Sequence, residues 1–494
     1  MEWLSSLGTF GEILRFIIVL LEAIFVLNLL IVVHEWGHFL AARWRGLKVE
    51  KFYVWFGKPL WKRTFNGVEY GLGSIPLGGF VQLPQMGPMG GLEGEEDKGE
   101  KLPLITPLDK IIVAFAGPLF SFLLAVVFAW LVFLVGYPDR RMHTTTVGWM
   151  KPDSAAAKSD FKMGDTILAI DGVPVQSWDN PIDSVRERIA FSKGEQIEFK
   201  VKREGVADPI IVKTGFDVPA GTLTQRRGLR TVGIAPATST AIEEVLKGSG
   251  ADLAGLKKGD IVTHVDGTKI YSPSAAYTVF KSKTSSPSKL TITRDGQSSE
   301  VNLTPVAPEK PKEIPDDVFA KGLALSGIVF SNSLDVTGRD LLYPAPSKQL
   351  KDASTMMFRT FSGVFNTKGD VGFQQMGGPV KILNTYTNFL SAPNGWRWVL
   401  WFSVILNVNL AIMNLFPFPV FDGGHIVMAF GEWIRKGSLL PTKIMEGVQF
   451  ACVATLLCFF VYVTWFDVND LVGKGGKKDG LDFKIEELVY PAAK

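Results

Sequence analysis

A histidine pair inside an apolar helix is the feature that most constrains what this chain can fold into. In the pattern His34-Glu35-x-x-His38, the two histidines are four residues apart and therefore lie on nearly the same helix face. Both imidazoles can face one metal ion, with Glu35 beside a water bound to it. Residues 16–33 are almost wholly apolar, which places these side chains in a membrane-spanning helix. Ionisable groups in hydrocarbon are costly and by default mark a functional site.

Composition limits the alternatives. The pattern would also fit two histidines and a glutamate that have a structural role only and form hydrogen bonds with neighbouring helices. The chain has only five histidines in 494 residues, however, and two of them lie in this motif. A net charge of +3, spread over both signs, leaves no basic stripe and excludes a nucleic-acid partner. Cys452 and Cys458 lie on one apolar segment six residues apart and predict neither a disulfide nor a cysteine metal site.

Four apolar stretches are long enough to cross a bilayer, which takes ~20 residues. They lie near 14–40, 110–137, 398–416 and 448–465. The short loops after the first span and before the fourth are rich in Lys and Arg, which predicts that they are cytoplasmic. Both termini and residues 139–395 are then extracytoplasmic, and His34 lies near the cytoplasmic side of the membrane.

The end of the third span is predicted to reach the same depth as His34. Pro417 and Pro419 end the helix there, and Gly423 permits a tight turn. Asp422 is therefore predicted as the third ligand of one Zn2+ per chain, in an open catalytic site with a free fourth position. The alternative for this segment alone is an ordinary turn at the membrane interface.

A β-hairpin is predicted between the first two spans, because Asn66-Gly67 is a strong turn signal with strand-like flanks. The hairpin region is rich in aromatic residues and glycine, and we expect it to be associated with the membrane. Its edge at Ile75, Pro76, Leu77, Gly78 and Gly79 is a candidate to pair with an extended substrate. A hairpin that only anchors the loop fits equally well.

The outer segment contains an internal repeat. Residues 154–172 align with 249–267, each with a Gly-Asp step into a strand and an Asp-Gly turn. Each copy resembles a PDZ domain, an α+β module that binds peptides by strand addition, with predicted groove edges at 147–150 and 242–246. Two functions of the PDZ domains remain open: they could bind the end of a peptide, or they could act as a bulky filter above the membrane site. His143 and His264 are predicted to be surface or packing residues.

These features divide the chain into eight predicted segments. They are 1–46 with the first span and motif, 47–107 with the cytoplasmic-side hairpin and loop, 108–138 with the second span, 139–232 and 233–306 as PDZ domains, 307–395 as linker and amphipathic helices, 396–430 with the third span, and 431–494 with the fourth span and tail. The predicted fold class is a polytopic α-helical membrane protein with four transmembrane helices, a membrane-associated β-hairpin and two extracytoplasmic α+β PDZ domains.

The motif helix, the Asn414-x-x-Pro417-x-Pro419-x-x-Asp422-Gly423 element and the outer repeat together resemble the site-2 intramembrane metalloproteases, of the bacterial regulator of sigma-E protease type. Ala116-Gly117-Pro118 in the second span also fits. One departure is Ser121, where the family often has Asn. The resemblance implies that Asn414 holds the substrate backbone or the developing oxyanion, and that Glu35 is the general base.

The resemblance also implies a substrate and a location. The expected substrate is a single-span membrane protein with a helix-weakening stretch, such as an anti-sigma factor already shortened on its outer side, or a remnant signal peptide. Peptides would bind the PDZ domains, and the chain would lie in the bilayer of a bacterial inner membrane. The rival functions are a zinc-binding transporter and a PDZ scaffold without protease activity.

Overall fold

The structure is a computed structural model. It describes residues 8–86, 105–436, 442–476, 485 and 488–491, apart from 140, 181, 223, 285, 312–313, 332–339 and 367. The α-helices are α1 Gly8–Trp44, α2 Pro107–Val135, α3 Val185–Ala190, α4 Gly250–Leu253, α5 Pro273–Ser282, α6 Val318–Ser326, α7 Pro346–Val364, α8 Pro379–Ser391, α9 Gly395–Asn414, α10 Asp422–Arg435 and α11 Thr442–Gly476.

The strands are short and fall into several sheets. They are β1 Lys51–Phe56, β2 Trp61–Phe65, β3 Val68–Leu72, β4 Ile75–Gln82, β5 Tyr137–Pro138, β6 Val147–Met150, β7 Thr166–Ile170, β8 Val173–Pro174, β9 Ile197–Lys202, β10 Ile210–Thr214, β11 Ile234–Pro236, β12 Ile242–Val245, β13 Ile261–Val265, β14 Thr268–Lys269, β15 Ser288–Arg294, β16 Gln297–Leu303, β17 Ile328–Phe330 and β18 Leu341–Leu342.

Among the described residues, four helices are long and apolar enough to cross a membrane. They cover Thr9–Trp44, Pro107–Val135, Gly395–Asn414 and Gly447–Val472, which confirms the four predicted spans. The third span begins three residues earlier and ends two residues earlier than predicted. It ends at Asn414, and Asp422 begins the separate helix α10.

The chain divides into two compact units. The first consists of Met1–Pro138, Leu341–Phe358 and Met376–Asp467. In it, α1, α2 and α9 pack around a core of buried apolar side chains: Leu30, Phe128, Ala129, Val132 and Val404. Asp467 of α11 caps α8 by accepting hydrogen bonds from the backbone N–H groups of Gly378 (2.9 Å) and Lys381 (3.1 Å). A buried carboxylate thus satisfies a helix start that has no side-chain cap of its own.

The predicted hairpin forms, but as part of a larger sheet. Asn66 and Gly67, both with positive φ, turn the chain between β2 and β3. These strands belong to a four-stranded sheet in the order β2-β3-β1-β4, in which β1 and β3 are parallel. The stretch from Ile75 to Gly79 therefore lies outside the hairpin, on the edge strand β4, because β4 folds back against β1.

The second unit consists of Asp139–Asp340, Arg359–Gln375 and Val468–Lys494, and it contains both copies of the repeat. Each copy has a four-stranded sheet, in the order β10-β9-β7-β8 or β14-β13-β15-β16. Each also has a two-stranded sheet, in which β11 pairs with β6 or β17 pairs with β12. Separate buried cores fill the two copies. The two copies thus have the same arrangement of strands, as expected for a duplicated module.

The two-stranded sheets change the predicted groove edges. The predicted edges, β6 and β12, are each covered by a later strand, β11 or β17 respectively. Both strands lie beyond the predicted domain ends at 232 and 306. Each copy is completed by a strand distant in sequence, and local pattern does not reveal such pairing.

The end of the chain also packs on the second copy. Val489 forms a bridge with Lys310, and Tyr490 donates a hydrogen bond to the carbonyl of Ala324 (2.8 Å). Leu488 lies against the core of that copy. Residues 488–491 of the tail, for which no structure was predicted, thus contribute to this module.

Candidate metal centre

Three side chains from two distant parts of the chain meet in the first unit. The Nε2 atoms of His34 and His38 lie 3.3 Å apart. Asp422 Oδ2 lies 3.2 Å from His34 Nε2, and Asp422 Oδ1 lies 3.3 Å from His38 Nε2. Both histidines are buried, and the Asp422 side chain is 19% exposed. The structure therefore brings together the three predicted ligands, although about 380 residues separate α1 from α10.

Helix α2 fixes the orientation of both imidazoles. His38 Nδ1 lies 2.8 Å from the carbonyl oxygen of Val113, and His34 Nδ1 lies 2.9 Å from the hydroxyl of Ser121. A carbonyl can only accept, so His38 carries its proton on Nδ1 and presents the Nε2 lone pair to the centre. Such outer hydrogen bonds set the tautomer and orientation of a metal-binding histidine.

The donor set fits a metal ion. With ligand bonds of ~2.0 Å, neighbouring corners of a tetrahedron are about 3.3 Å apart, and the three measured separations match that spacing. Asp422 Oδ2 is buried and forms no hydrogen bond of good geometry with the described residues. The two imidazole nitrogens and the carboxylate all offer lone pairs, which would repel one another without a cation. Two imidazoles and one carboxylate are also a ligand set that catalytic zinc prefers.

Two glycines allow α1 and α2 to approach. A side chain at Gly37 would collide with the backbone of Ala116, and one at Gly117 would collide with Nε2 of His38 and lie 2.9 Å from Nε2 of His34. Gly117 thus leaves open the space next to the imidazole nitrogens. The close packing of the two helices depends on these missing side chains.

Glu35 lies between the metal centre and the sheet. Its carboxylate is close enough to the backbone of Val81, to both histidines and to Asp422 for electrostatic interaction. A Cβ at Gly79 would stand 3.6 Å from Glu35 Cγ. The edge strand β4 therefore runs directly beside the Glu35 side chain.

The turn from Leu415 to Phe421 places Asp422 and Asn414. Pro417 and Pro419 lie in this turn, and Asn414 Nδ2 lies 3.4 Å from His34 Nε2. A Cβ at Gly423 would collide with the carbonyl of Leu415, so the tight return of the chain requires glycine there. Asp422 sits in the first turn of α10, where the helix dipole favours a negative charge.

Two ion pairs hold the helices that supply the ligands. Lys110 of α2 bonds Glu432 of α10 at 2.8 Å. Arg45, just beyond α1, bonds Asp109 of α2 at 2.6 Å, and Asp109 also forms a capping box with Thr106. The end of α1, the start of α2 and the end of α10 are thus linked.

Some contributors were not predicted from the sequence. Val113, Gly117 and Ser121 recur at intervals of four on α2 and so present one face to the imidazoles, and this spacing was the available signal. His425, one turn after Asp422, interacts electrostatically with Asp422 and His38. His143 instead bonds Asp139 at 2.9 Å, and His264 lies on β13; neither belongs to the ligand group.

Gly117→Ala should displace the ligands without unfolding the protein. The added methyl group would occupy the space next to both Nε2 atoms, and we expect zinc affinity to fall by at least about tenfold. The measurement is zinc content after dialysis against graded chelator. Gly447→Ala on α11 is the matched control, because a Cβ there meets no atom within 4 Å. Equal zinc retention in both variants would contradict the packing described for α2.

The comparisons with known proteins agree with this geometry. The model of peptidase family M50 matches residues 22–459, a range that includes all three predicted ligands. The chain belongs to peptidase family M50. This peptidase has four helices that can cross a membrane, so it is an intramembrane zinc metalloprotease. The family assignment decides against the transporter and scaffold alternatives.

Individual relatives cover nearly the whole chain. The regulator of sigma-E protease RseP of Salmonella typhimurium is 30% identical over 449 residues, which cover 86% of this chain and 92% of that protein. Protease RseP of Yersinia pestis is 31% identical over 447 residues, with the same coverage. A Neisseria meningitidis protein, named as a candidate zinc metalloprotease, is 28% identical over 482 residues, 92% of this chain and 99% of that protein.

Proposed function

We propose that this protease cleaves single-span membrane proteins within or next to their transmembrane helix, in the regulated proteolysis of a bacterial inner-membrane regulator. The observation that carries this proposal is the meeting of His34, His38 and Asp422 in the membrane unit, with Glu35 beside them. The relatives named regulators of sigma-E protease support an anti-sigma factor as the substrate class. A remnant signal peptide is a second candidate of the same chemistry.

His34, His38 and Asp422 would hold the zinc ion, which would supply the Lewis acidity that polarises a scissile carbonyl and lowers the pKa of a water molecule. The Glu35 carboxylate takes up a proton from the attacking water and delivers it to the leaving amide nitrogen. Asn414, whose amide nitrogen reaches 3.4 Å from His34 Nε2, donates a hydrogen bond to the substrate carbonyl oxygen as negative charge develops there. Val113 and Ser121 keep the imidazoles oriented during this proton transfer.

The edge strand β4 is proposed to hold the substrate extended. A substrate helix has its backbone hydrogen-bonded internally and must unwind before its carbonyl can be attacked. Strand β4 pairs with β1 on one side and lies beside Glu35 through Gly79. Pairing with β4 would give new hydrogen bonds to the backbone N–H and C=O groups that unwinding exposes.

The membrane orientation follows from charge. Arg43 lies at the end of the first span, and Arg45 and Lys48 follow it. Arg435 ends α10 and Lys436 follows it, so these segments are proposed to face the cytoplasm. The termini and the two copies of the repeat are then extracytoplasmic, and the zinc centre lies near the cytoplasmic side. The copies are proposed to be PDZ domains, which exclude substrates that still carry a large outer domain.

Reporter cleavage in detergent and in membranes tests this function. Two tagged single-span reporters carry a helix-breaking Gly-Pro pair near the cytoplasmic or the outer end of the span. We expect cleavage of the first reporter only, and loss of that cleavage after zinc is removed with chelator. Cleavage at the outer end would reverse the proposed depth of the site. No cleavage of either reporter by the zinc-loaded protein would reject the function.

The filter is tested with the same reporters bearing a long or a short outer domain. Asp139 and Asp340 are joined by a backbone hydrogen bond of 2.9 Å, and β5 pairs with β18, so a short Gly-Ser turn can replace residues 140–339. We expect the shortened protease to cut both reporters, and the full chain to prefer the short one. Unchanged selectivity would show that the repeat does not act as a filter.

A further inference from the structure

Asn28 is a polar residue in the middle of the first membrane span. The surrounding stretch of α1, residues 16–33, is almost wholly apolar. The residue is only 9% exposed, and its amide nitrogen donates a hydrogen bond to the carbonyl of Ile24 at 2.7 Å. A polar group at this depth in hydrocarbon is costly and by default marks a functional site. The zinc chemistry proposed for this protein does not involve Asn28.

The amide oxygen of Asn28 is buried and accepts no hydrogen bond from the described residues. Buried polar atoms nearly always have a partner, and leaving one unpaired costs free energy. The carbonyl of Ile24 does not need the side chain, because in an α-helix it accepts the backbone N–H of the residue four positions later. The oxygen therefore adds nothing to the stability of the free protein, which is the behaviour expected of a group that binds a ligand.

Asn28 lies on the same face of α1 as the general base Glu35. Seven residues separate them, which is two helical turns with a rotation of only about 20°. Ile31 lies between them on this face. A Cβ at Gly79 of β4 would stand 3.6 Å from Glu35 Cγ and 3.9 Å from Ile31 Cγ2. The face that carries Asn28 is therefore the face beside which β4 runs.

Strand β4 runs alongside α1 in the same direction. Gly79 lies next to Glu35, as described above. Just after the strand, Gln85 Oε1 accepts a hydrogen bond of 2.8 Å from the backbone N–H of Lys48, which follows the end of α1. Increasing residue number in β4 thus corresponds to increasing residue number in α1. The start of β4 at Ile75 then lies on the side of Glu35 from which α1 enters.

The level of Asn28 matches that of a peptide held on the start of β4. Seven residues of helix at ~1.5 Å each place Asn28 ~10 Å from Glu35 along α1, and an extended peptide covers that distance in about three residues. An unwound span has backbone N–H groups that lipid cannot satisfy. A carboxamide oxygen can only accept, so it suits such a donor.

We propose that Asn28 is a positioning residue whose amide oxygen accepts a hydrogen bond from a backbone N–H of the unwound substrate, about three residues from the cleaved bond toward the outer side of the membrane. This proposal rests on the proposed function and on the pairing of substrate with β4. A helical substrate has already bonded that N–H internally and gains nothing from Asn28. The residue therefore favours spans that are extended for several residues beyond the cut.

Binding of a synthetic span by the full chain in detergent tests the proposal. The probe is a fluorescein-labelled peptide with the span that is broken near its cytoplasmic end. A series of this peptide replaces one amide at a time with an ester, which has no N–H. The dissociation constant is measured on zinc-loaded Glu35→Gln protein, so that no cut is needed, and KM and kcat are measured on the chain with Glu35.

Asn28→Leu should raise the dissociation constant and KM by about three- to tenfold, the usual net effect of one hydrogen bond, and leave kcat nearly unchanged. In the ester series, one position should weaken binding to protein with Asn28 by the same factor. That ester should cause no further loss in the Asn28→Leu protein, because the two changes remove the same bond. Asn28→Ala removes the oxygen without adding bulk and should show the same pattern.

The matched control is Asn388→Leu at an exposed residue of α8, which should change neither binding nor kinetics. Thermal unfolding of Asn28→Leu should not occur at a lower temperature, because the change leaves no group unpaired. The proposal is wrong if every ester weakens binding to both proteins equally, or if Asn28→Leu unfolds earlier and binds the probe as before. Ester coupling in a protein that cleaves no reporter would instead reject the protease function alone.

Discussion

Replacing Glu35 with glutamine is expected to abolish cleavage while zinc stays bound. The amide keeps the size of the side chain and its contact with β4, but it cannot accept the proton of the attacking water. We expect the cleavage rate to fall by about 10²–10⁴-fold, the usual contribution of a general base. The measurement is cleavage of the reporter broken near its cytoplasmic end, with zinc content determined on the same sample.

Glu22→Gln is the matched control for this variant. Glu22 is an exposed residue of the same helix α1, and the change is chemically identical. It should leave both zinc content and cleavage at the natural level. If Glu35→Gln cleaves as fast as the Glu22 variant, then Glu35 is not the base and another group must take the proton.

Asp422→Asn is expected to remove both zinc and activity. The change deletes the only negative charge among the three ligands and leaves two neutral imidazoles, which bind zinc much more weakly. Loss of an outer hydrogen bond to a ligand already costs about 10–100-fold in metal affinity, so loss of a ligand should cost more. The measurement is zinc affinity by competition with a chromophoric chelator, followed by reporter cleavage.

The control here is Asp352→Asn, at a partly exposed ion pair with Lys348 on α7. It should bind zinc like the natural chain. Cleavage by the Asp422 variant that recovers fully at high zinc would still agree with a ligand role. Natural zinc affinity in that variant would exclude Asp422 as a ligand, whatever its effect on activity.

Much of the membrane unit could be predicted from local sequence. Length and hydropathy determine whether a helix can span a bilayer, and all four spans were found in this way. The spacing of His34 and His38 places them on one helix face without any tertiary information. Asp422 required one further step, the matching of depths between two spans. These inferences succeed because the bilayer imposes a common length scale on separate helices.

The surroundings of the ligands were decided by packing. The face formed by Val113, Gly117 and Ser121 becomes meaningful only when α2 lies against α1, since the imidazoles that it orients belong to another helix. The hairpin prediction likewise missed the parallel pairing of β1 with β3, because pairing between distant strands leaves little trace in a single strand.

The sequence by itself thus determined the spans, the histidine pair, the Asn-Gly turn and the duplicated module, since each is expressed within a short window of chain. Only the tertiary structure decided that β11 and β17, rather than β6 and β12, are the outer strands of the two-stranded sheets, and that Asp370 meets Arg227 and Arg230. The physical reason is that edges, faces and ion pairs depend on which distant segments meet, and burial of the whole core selects those meetings.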